Sequence, residues 1–151
     1  MYDFVGAPIK PGMGHGDVGM NGGLSLRNRT LILEIIHRWN WKEERMHALD
    51  PEFPPIKYED QWFYKKMITM NNEAASVHGG DGDTEGRNWG NGSDKARLPT
   101  VEEAMKFSVE TIWYDQPLGY HQVGEWHWDR VAEIDRWCPE HRMATKEKIS
   151  N

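Results

Sequence analysis

The stretch GMNGGLSLRNRT, residues 19–30, joins a glycine-rich segment to the first apolar pattern with helical spacing. Gly22 and Gly23 carry no side chain, so the backbone there can adopt positive φ angles and approach another group closely. We therefore expect a turn that leads into a helix over about Leu26–Trp39. Free amides at a helix start favour an anionic or oxygen-rich ligand, and Arg27 would add positive charge. A tight turn with solvated arginines is the simpler interpretation of a single glycine pair.

The composition predicts one rather polar domain. The chain has 151 residues, of which 38% are hydrophobic and 28% charged. Its net charge of -6 argues against general binding to nucleic acid or to anionic membranes, which requires clustered Lys and Arg. Cys138 is the single cysteine, so an intrachain disulfide is excluded. No run approaches the roughly 20 apolar residues of a membrane span, and no targeting signal is recognisable at the start.

Periodicity and turn residues divide the rest of the chain. A strand over Tyr2–Val5 is expected to end at Gly6-Ala7-Pro8. Residues 71–98 are poor in apolar side chains and rich in glycine, which predicts a flexible insertion, and residues 145–151 form a frayed tail. Extended chain is expected over Leu118–Val123. Three further helices are predicted: Glu59–Met70, a short helix capped by Thr100 and Glu103 that runs to Phe107, and Trp126–Trp137.

Two sets of polar residues are candidates for chemistry. A carboxylate of the pair Glu59-Asp60 could accept a proton from a hydroxyl nucleophile, although acidic residues in a first turn also stabilise a helix through its dipole. His121 could bind a divalent metal ion, although a single histidine is more often a packed or surface residue. Neither pattern is specific when taken alone.

The chain contains eight tryptophans, which either fill a core or stack on sugar rings. Trp39, Trp62 and Trp137 match helical core positions. Trp89 in the glycine-rich stretch, and Trp126 or Trp128 close in sequence to His121, are the better candidates for stacking.

Five segments occur in an order that is far more specific than any one of them. They are Tyr2–Pro8, Asn21–Arg27, Glu59–Phe63, Lys106–Glu110 and Pro117–His121. Together they resemble a mostly fungal family of unknown function whose domain is similar to GT-A glycosyltransferases of the fringe and galactosyltransferase type.

The resemblance implies an α/β fold, a partial GT-A-like glycosyltransferase fold with a short mixed sheet and flanking helices. Residues 1–144 would form a single, incomplete domain whose N-terminal nucleotide-binding half is missing. We therefore expect the C-terminal part of a metal-dependent glycosyltransferase that is inactive as this chain alone. The partners would be a nucleotide sugar and a glycan or other hydroxyl acceptor, and a full-length form could enter the secretory pathway.

The resemblance also assigns roles to residues. Gly22 and Gly23 shape the donor and acceptor pocket, Asp60 or Glu59 acts as the base, with Asp60 favoured, and His121 completes a site for a divalent cation, Mn or Mg. The residues expected to bind substrate are Asn21, Gly22, Gly23, Ser25, Arg27, Trp62 and Trp126. The alternatives are a non-catalytic module that binds glycans or nucleotide sugars, and a purely structural domain.

Overall fold

The computed structural model describes residues 1–13, 19–47, 58–77 and 96–144. These parts form a mixed α/β structure with two two-stranded sheets and seven α-helices. In chain order the elements are β1 Phe4–Pro8, β2 Met20–Arg27, α1 Arg29–Arg38, α2 Trp41–His47, α3 Glu59–Val77, α4 Val101–Phe107, β3 Ser108–Val109, β4 Gly119–Tyr120, α5 Val123–Trp126, α6 Val131–Trp137 and α7 His141–Ala144, with a 3-10 turn at Trp128–Arg130.

The glycine pair lies inside a strand, so the predicted turn directly before a helix is wrong. β1 and β2 are antiparallel, and their register shifts between Gly6 and Ala7. The shift leaves residues 22–24 of β2 without partners on β1, which makes a wide bulge. A side chain on Gly6 would overlap the carbonyl oxygen of Asn21, so the bulge needs a bare backbone on the facing strand as well.

Helix α1 begins at Arg29, three residues later than expected from the apolar spacing. Its N-cap is Asn28, whose side-chain oxygen accepts hydrogen bonds from the amides of Thr30 and Leu31. The cap residue keeps an extended backbone, so β2 runs almost directly into the helix. The helix ends at Arg38, one residue before the predicted end, and on its predicted apolar face Ile35 is fully buried whereas Ile36 is exposed.

The larger core lies between the β1–β2 sheet and the helices α1, α3 and α4. Helix α3 begins at Glu59, as the sequence predicted. Trp62, expected to contact substrate, is 3% exposed and belongs to this core, and Trp39 packs against it. The buried members of this core are Phe4, Met20, Ile35, Trp62, Phe63, Met67, Met70, Ala96 and Ala104.

The short helix α4 confirms the predicted capping box. The hydroxyl of Thr100 accepts from the amide of Glu103, and the carboxylate of Glu103 accepts from the amide of Thr100. Helix α4 leads into β3, which pairs in parallel with β4. Glu110 and His121 therefore follow directly after the carboxyl ends of two neighbouring strands.

The last predicted helix is broken, so the expectation of one continuous helix over Trp126–Trp137 is wrong. The chain forms α5, the 3-10 turn and α6 in succession, and His127 lies at the junction. The ring of His127 packs edge-on against Trp113, with centroids 5.1 Å apart. Trp137 is 49% exposed and so is not a core residue, while Ile134 of α6 is fully buried with Val109 and Val123 in a second, smaller core.

The predicted insertion begins later than its composition indicated, because α3 continues through Asn71 to Val77. At its other end Ala96 is buried. The remainder of the insertion, residues 78–95, and the tail 145–151 lie outside the described residues. Within the described ranges, no helix combines the length and the apolar character that crossing a membrane would need.

Candidate functional site

The bulge in β2 brings three elements together. The amide of Gly22 donates to Oδ2 of Asp60 on α3 at 2.7 Å. A side chain on Gly23 would overlap the imidazole of His121, which follows β4, and Leu24 packs where a side chain on Gly119 would stand. The bare backbone therefore makes room for protein side chains. The glycine pair, the acidic residue and the histidine converge as one group.

Both oxygens of Asp60 are already engaged. Oδ2 accepts from Gly22, and Oδ1 accepts from the amide of Gln61 at 2.7 Å. The residue is 7% exposed and stands in the first turn of α3, where a carboxylate interacts favourably with the helix dipole. This arrangement suits an anchor for the bulge better than a proton acceptor.

Glu110 and His121 lie side by side beyond the ends of β3 and β4. Oε1 of Glu110 accepts from the side-chain amide of Asn21 at 3.1 Å. The same oxygen is 3.6 Å from Nδ1 of His121, too far for a hydrogen bond. The backbone amide of His121 donates to the carbonyl of Val109 at 2.9 Å, which fixes the position of the ring relative to β3.

The surroundings of Glu110 and His121 shift the pKa of each side chain in the direction that favours its uncharged form. Burial, followed by the charges of Asp60 and Glu125, raises the pKa of Glu110 to about 7. Burial also lowers the pKa of His121, although the charges of Asp60 and Glu125 oppose that change. At neutral pH the imidazole is therefore largely uncharged, and the carboxyl group of Glu110 is close to half ionised. A carboxyl group with a pKa near the working pH is suited to general acid–base chemistry.

These groups border an open pocket of about 390 Å³. This volume is in the range of small-molecule sites. Among the described residues that line it there are three carboxylates but no Lys or Arg. The lining residues are Ile9, Met13, Asn21, Tyr58, Asp60, Gln61, Glu110, Thr111, His121, Gln122, Glu125 and Trp126.

Three residues of the lining each carry a buried side-chain atom that has no hydrogen-bond partner in the part of the chain that the structure describes: Oε2 of Glu110, Nδ1 of His121 and Nε1 of Trp126. An unsatisfied buried polar group costs about 1–3 kcal/mol, so three in one pocket require an explanation. Gln122, in the same lining, has a left-handed backbone with φ 49°. Such backbone strain clusters at functional sites in proteins.

A family described as "Protein of unknown function (DUF5672)" matches residues 1–80. The chain belongs to the DUF5672 family. The matched region includes Asn21 and Asp60, whereas Glu110 and His121 lie beyond it. No curated protein and no solved structure matches the chain.

Of the residues that the sequence assigned to substrate, base or metal, four line the pocket of this DUF5672 chain: Asn21, Asp60, His121 and Trp126. Gly22 and Gly23 are not among the described lining residues, but they contact two that are, Asp60 and His121.

Arg27, Ser25 and Glu59 form a polar network that joins the bulge at Gly22, whose carbonyl accepts from the hydroxyl of Ser25 at 2.9 Å. The guanidinium of Arg27 donates to Ser25 at 3.2 Å and to Glu59 at 3.1 Å, and it lies 5.0 Å from the ring centre of Phe4 and 5.6 Å from that of Phe63. These residues are not part of the described pocket lining. Arg27 therefore packs against Phe4 and Phe63, two residues of the larger core of this DUF5672 protein.

The predicted cation site stays a prediction. In the ranges that the structure describes, no group of three or more His, Cys, Asp or Glu side chains is arranged to hold a metal ion. His121 and Glu110 are the two donors that stand closest together in the pocket. Because Mg²⁺ and Mn²⁺ favour octahedral coordination by oxygen ligands, the described donors do not form a site for either ion by themselves.

Sequence reasoning missed Glu110, the pocket residue with the largest shift in pKa. The segment Lys106–Glu110 contributed to the resemblance without a role for its last residue. The available signal was an acidic residue directly after the apolar end of a strand, a position that parallel strands use for ligand contacts. Glu125 was missed as well, and its sequence context on a four-residue helix gives no such signal.

Proposed function

We propose that this chain provides the acceptor side of a glycosyltransferase-like site, in which a sugar hydroxyl binds in the pocket beside Glu110. The observation that carries the proposal is the buried oxygen Oε2 of Glu110, a residue of the pocket lining, because this oxygen has no hydrogen-bond partner among the described residues. A hydroxyl group donates naturally to such an oxygen. The resemblance of the ordered segments to GT-A glycosyltransferases supplies the reaction class.

The pocket chemistry supports an acceptor rather than a diphosphate. Phosphate groups are usually held by Arg, Lys or helix amides, and the described lining offers three carboxylates instead. A neutral hydroxylated ligand can donate to Glu110 and accept from Nε1 of Trp126 without charge repulsion. The nucleotide sugar would therefore approach from another side of the site.

In the proposed reaction the acceptor oxygen forms a bond to the anomeric carbon while the bond from that carbon to the diphosphate breaks. The hydroxyl proton passes to the carboxylate of Glu110, and the nucleoside diphosphate leaves. We assign the base to Glu110 in preference to Asp60, because Asp60 has both oxygens occupied by backbone amides. Asn21 holds the other oxygen of Glu110 and orients it.

The second candidate is a glycan-binding module without catalysis. It is favoured by the same three unsatisfied atoms, because they need a hydroxylated ligand but no reaction. The two candidates differ in their relation to the nucleotide. Only the transferase-like site requires UDP-sugars to bind in addition to the free sugar.

Isothermal titration of the full chain with D-glucose, D-galactose and their UDP conjugates tests both candidates, with and without Mn²⁺. We expect the free sugars to bind without Mn²⁺, and Glu110→Gln to weaken that binding at least about fivefold. Glu102→Gln is the matched control, since Glu102 is 81% exposed in its side chain and is not among the lining residues.

Free-sugar binding that is absent, or that is the same in Glu110→Gln as in the wild type, would remove the pocket proposal. If the UDP-sugars bind no better with Mn²⁺ than the free sugars do, the non-catalytic module replaces the transferase-like site.

A further inference from the structure

The three carboxylates of the pocket indicate the charge of its ligand. Asp60, Glu110 and Glu125 border one volume of about 390 Å³, and no Lys or Arg stands among the described residues that line it. These charges repel one another, and the charges of Asp60 and Glu125 accordingly add to burial in raising the pKa of Glu110. A bound cation would relieve this repulsion, and a bound anion would increase it.

Glu125 is the carboxylate best placed to meet such a cation. It is exposed at the pocket on the short helix α5, and in the described part of the chain its side chain forms no ion pair within 4.0 Å. Asp60, by contrast, is held by two backbone amides. Glu110 is 5% exposed, and its Oε2, which meets no hydrogen-bond partner in the described ranges, is an observation that does not depend on the charges of the other two carboxylates.

The cation is better matched by an organic ammonium group than by a metal ion. Three carboxylates are among the residues that line the pocket, and within the described ranges no three metal-binding side chains are arranged to hold a metal ion. The same lining offers amide, imidazole and indole groups that suit hydroxyls. The ligand class that uses both sets of groups is a sugar or cyclitol ring with a free amine.

We propose that the pocket selects hydroxylated rings that carry a protonated amine, with Glu125 as the main counter-charge at its exposed side. The inference rests on the proposed function, because it assumes that the pocket holds a sugar-like ring. It adds that uncharged sugars are weaker ligands than amino sugars, and that acidic sugars are weaker still.

The test is calorimetric titration of the full chain at pH 6.5 and low salt with three ligands of one ring type: D-glucosamine, D-glucose and D-glucuronate. We expect glucosamine to bind about tenfold more tightly than glucose, as one charge-assisted hydrogen bond would produce. Glucuronate should bind more weakly than glucose. The preference should shrink as salt is added, because Glu125 is exposed.

Glu125→Gln should reduce the ratio of glucosamine to glucose affinity to about two or less, while the matched control Glu102→Gln keeps the wild-type ratio. Circular dichroism checks that both variants are folded. A second variant, Glu125→Asp, keeps the charge and should keep most of the preference.

If the wild type binds glucose and glucosamine equally well, the amine selectivity is wrong. If Glu110→Gln still weakens the binding of both sugars in that case, the proposed sugar pocket is retained. A preference that persists in Glu125→Gln would also overturn the assignment. If none of the three ligands binds to the wild type, the proposed function itself has failed and the inference fails with it.

Discussion

The start of β1 and the pocket each contain a carboxylate that is 5% exposed, Asp3 and Glu110. Both oxygens of Asp3 accept hydrogen bonds, from Asn28 and Arg97. Burial opposes ionisation of Asp3, yet these bonds lower its pKa to about 2. Burial, together with the charges of Asp60 and Glu125, raises the pKa of Glu110 to about 7, and among the described residues its second oxygen meets no donor. At equal burial, the ionised carboxylate is therefore favoured where hydrogen bonds surround it and disfavoured where they do not.

The largest expected effect on stability comes from replacing Asp3, the carboxylate whose two oxygens both accept hydrogen bonds. Asp3→Asn removes the charge that Arg97 meets and turns an acceptor into an amide donor that faces other donors. We expect a loss of about 3 kcal/mol in the free energy of unfolding at pH 7, measured by urea denaturation. Asp129→Asn, at an exposed carboxylate, should change it by less than about 0.5 kcal/mol.

The pH dependence sharpens this prediction. The folded pKa of Asp3, about 2, is below the ordinary value of 3.8, so its contribution is present above pH 3.8 and is lost as the pH falls through about 2. The difference between the wild type and Asp3→Asn should shrink over that interval. A difference that is constant from pH 5 to pH 2 would contradict the assigned role.

A smaller effect is expected at the contact that joins the bulge to the pocket. Gly23→Ala places a methyl group where the imidazole of His121 stands, which should cost about 2 kcal/mol through overpacking. In a His121→Ala background the same substitution should cost less than about 0.5 kcal/mol. This double-mutant cycle isolates the contact, and an equal cost in both backgrounds would show that the two residues do not touch.

The smallest effect has the opposite sign. The folded pKa of Glu110, about 7, is above the ordinary 4.5, so the folded state holds a proton that the unfolded state has lost, and stability falls as the pH rises from 4.5 through 7. Glu110→Gln removes this penalty and can still accept from Asn21. We expect it to be more stable than the wild type by about 1 kcal/mol at pH 8, by urea denaturation. A variant that is less stable than the wild type at pH 8 would contradict the claim that the ionised side chain of Glu110 destabilises the fold.

Features encoded by neighbouring residues were predicted correctly. The capping box of Thr100 and Glu103 and the start of α3 at Glu59 depend on residues within one helical turn. The bulge at Gly22 and Gly23 was missed, because strand register is set by the partner strand β1 and not by local propensity.

The site shows the same division. Asp60, His121 and Trp126 were found by residue type and by the order of the segments, and the structure brings them to one pocket. Glu110 was missed, because its raised pKa comes from burial and from charges on other elements. An isolated Glu in a sequence carries no trace of those neighbours.

The side chain of Asn71 joins α3 to the chain that follows residues 78–95, donating to the carbonyl of Ala96 at 3.0 Å and accepting from its amide at 2.8 Å. Arg97 then binds Asp3 on the next step of the chain. The chain before and after residues 78–95 is thus held by hydrogen bonds between described residues, Asn71 with Ala96 and Arg97 with Asp3. A reporter peptide exchanged for residues 78–95 should therefore leave the hydrogen bonds of Asn71 and Arg97 in place.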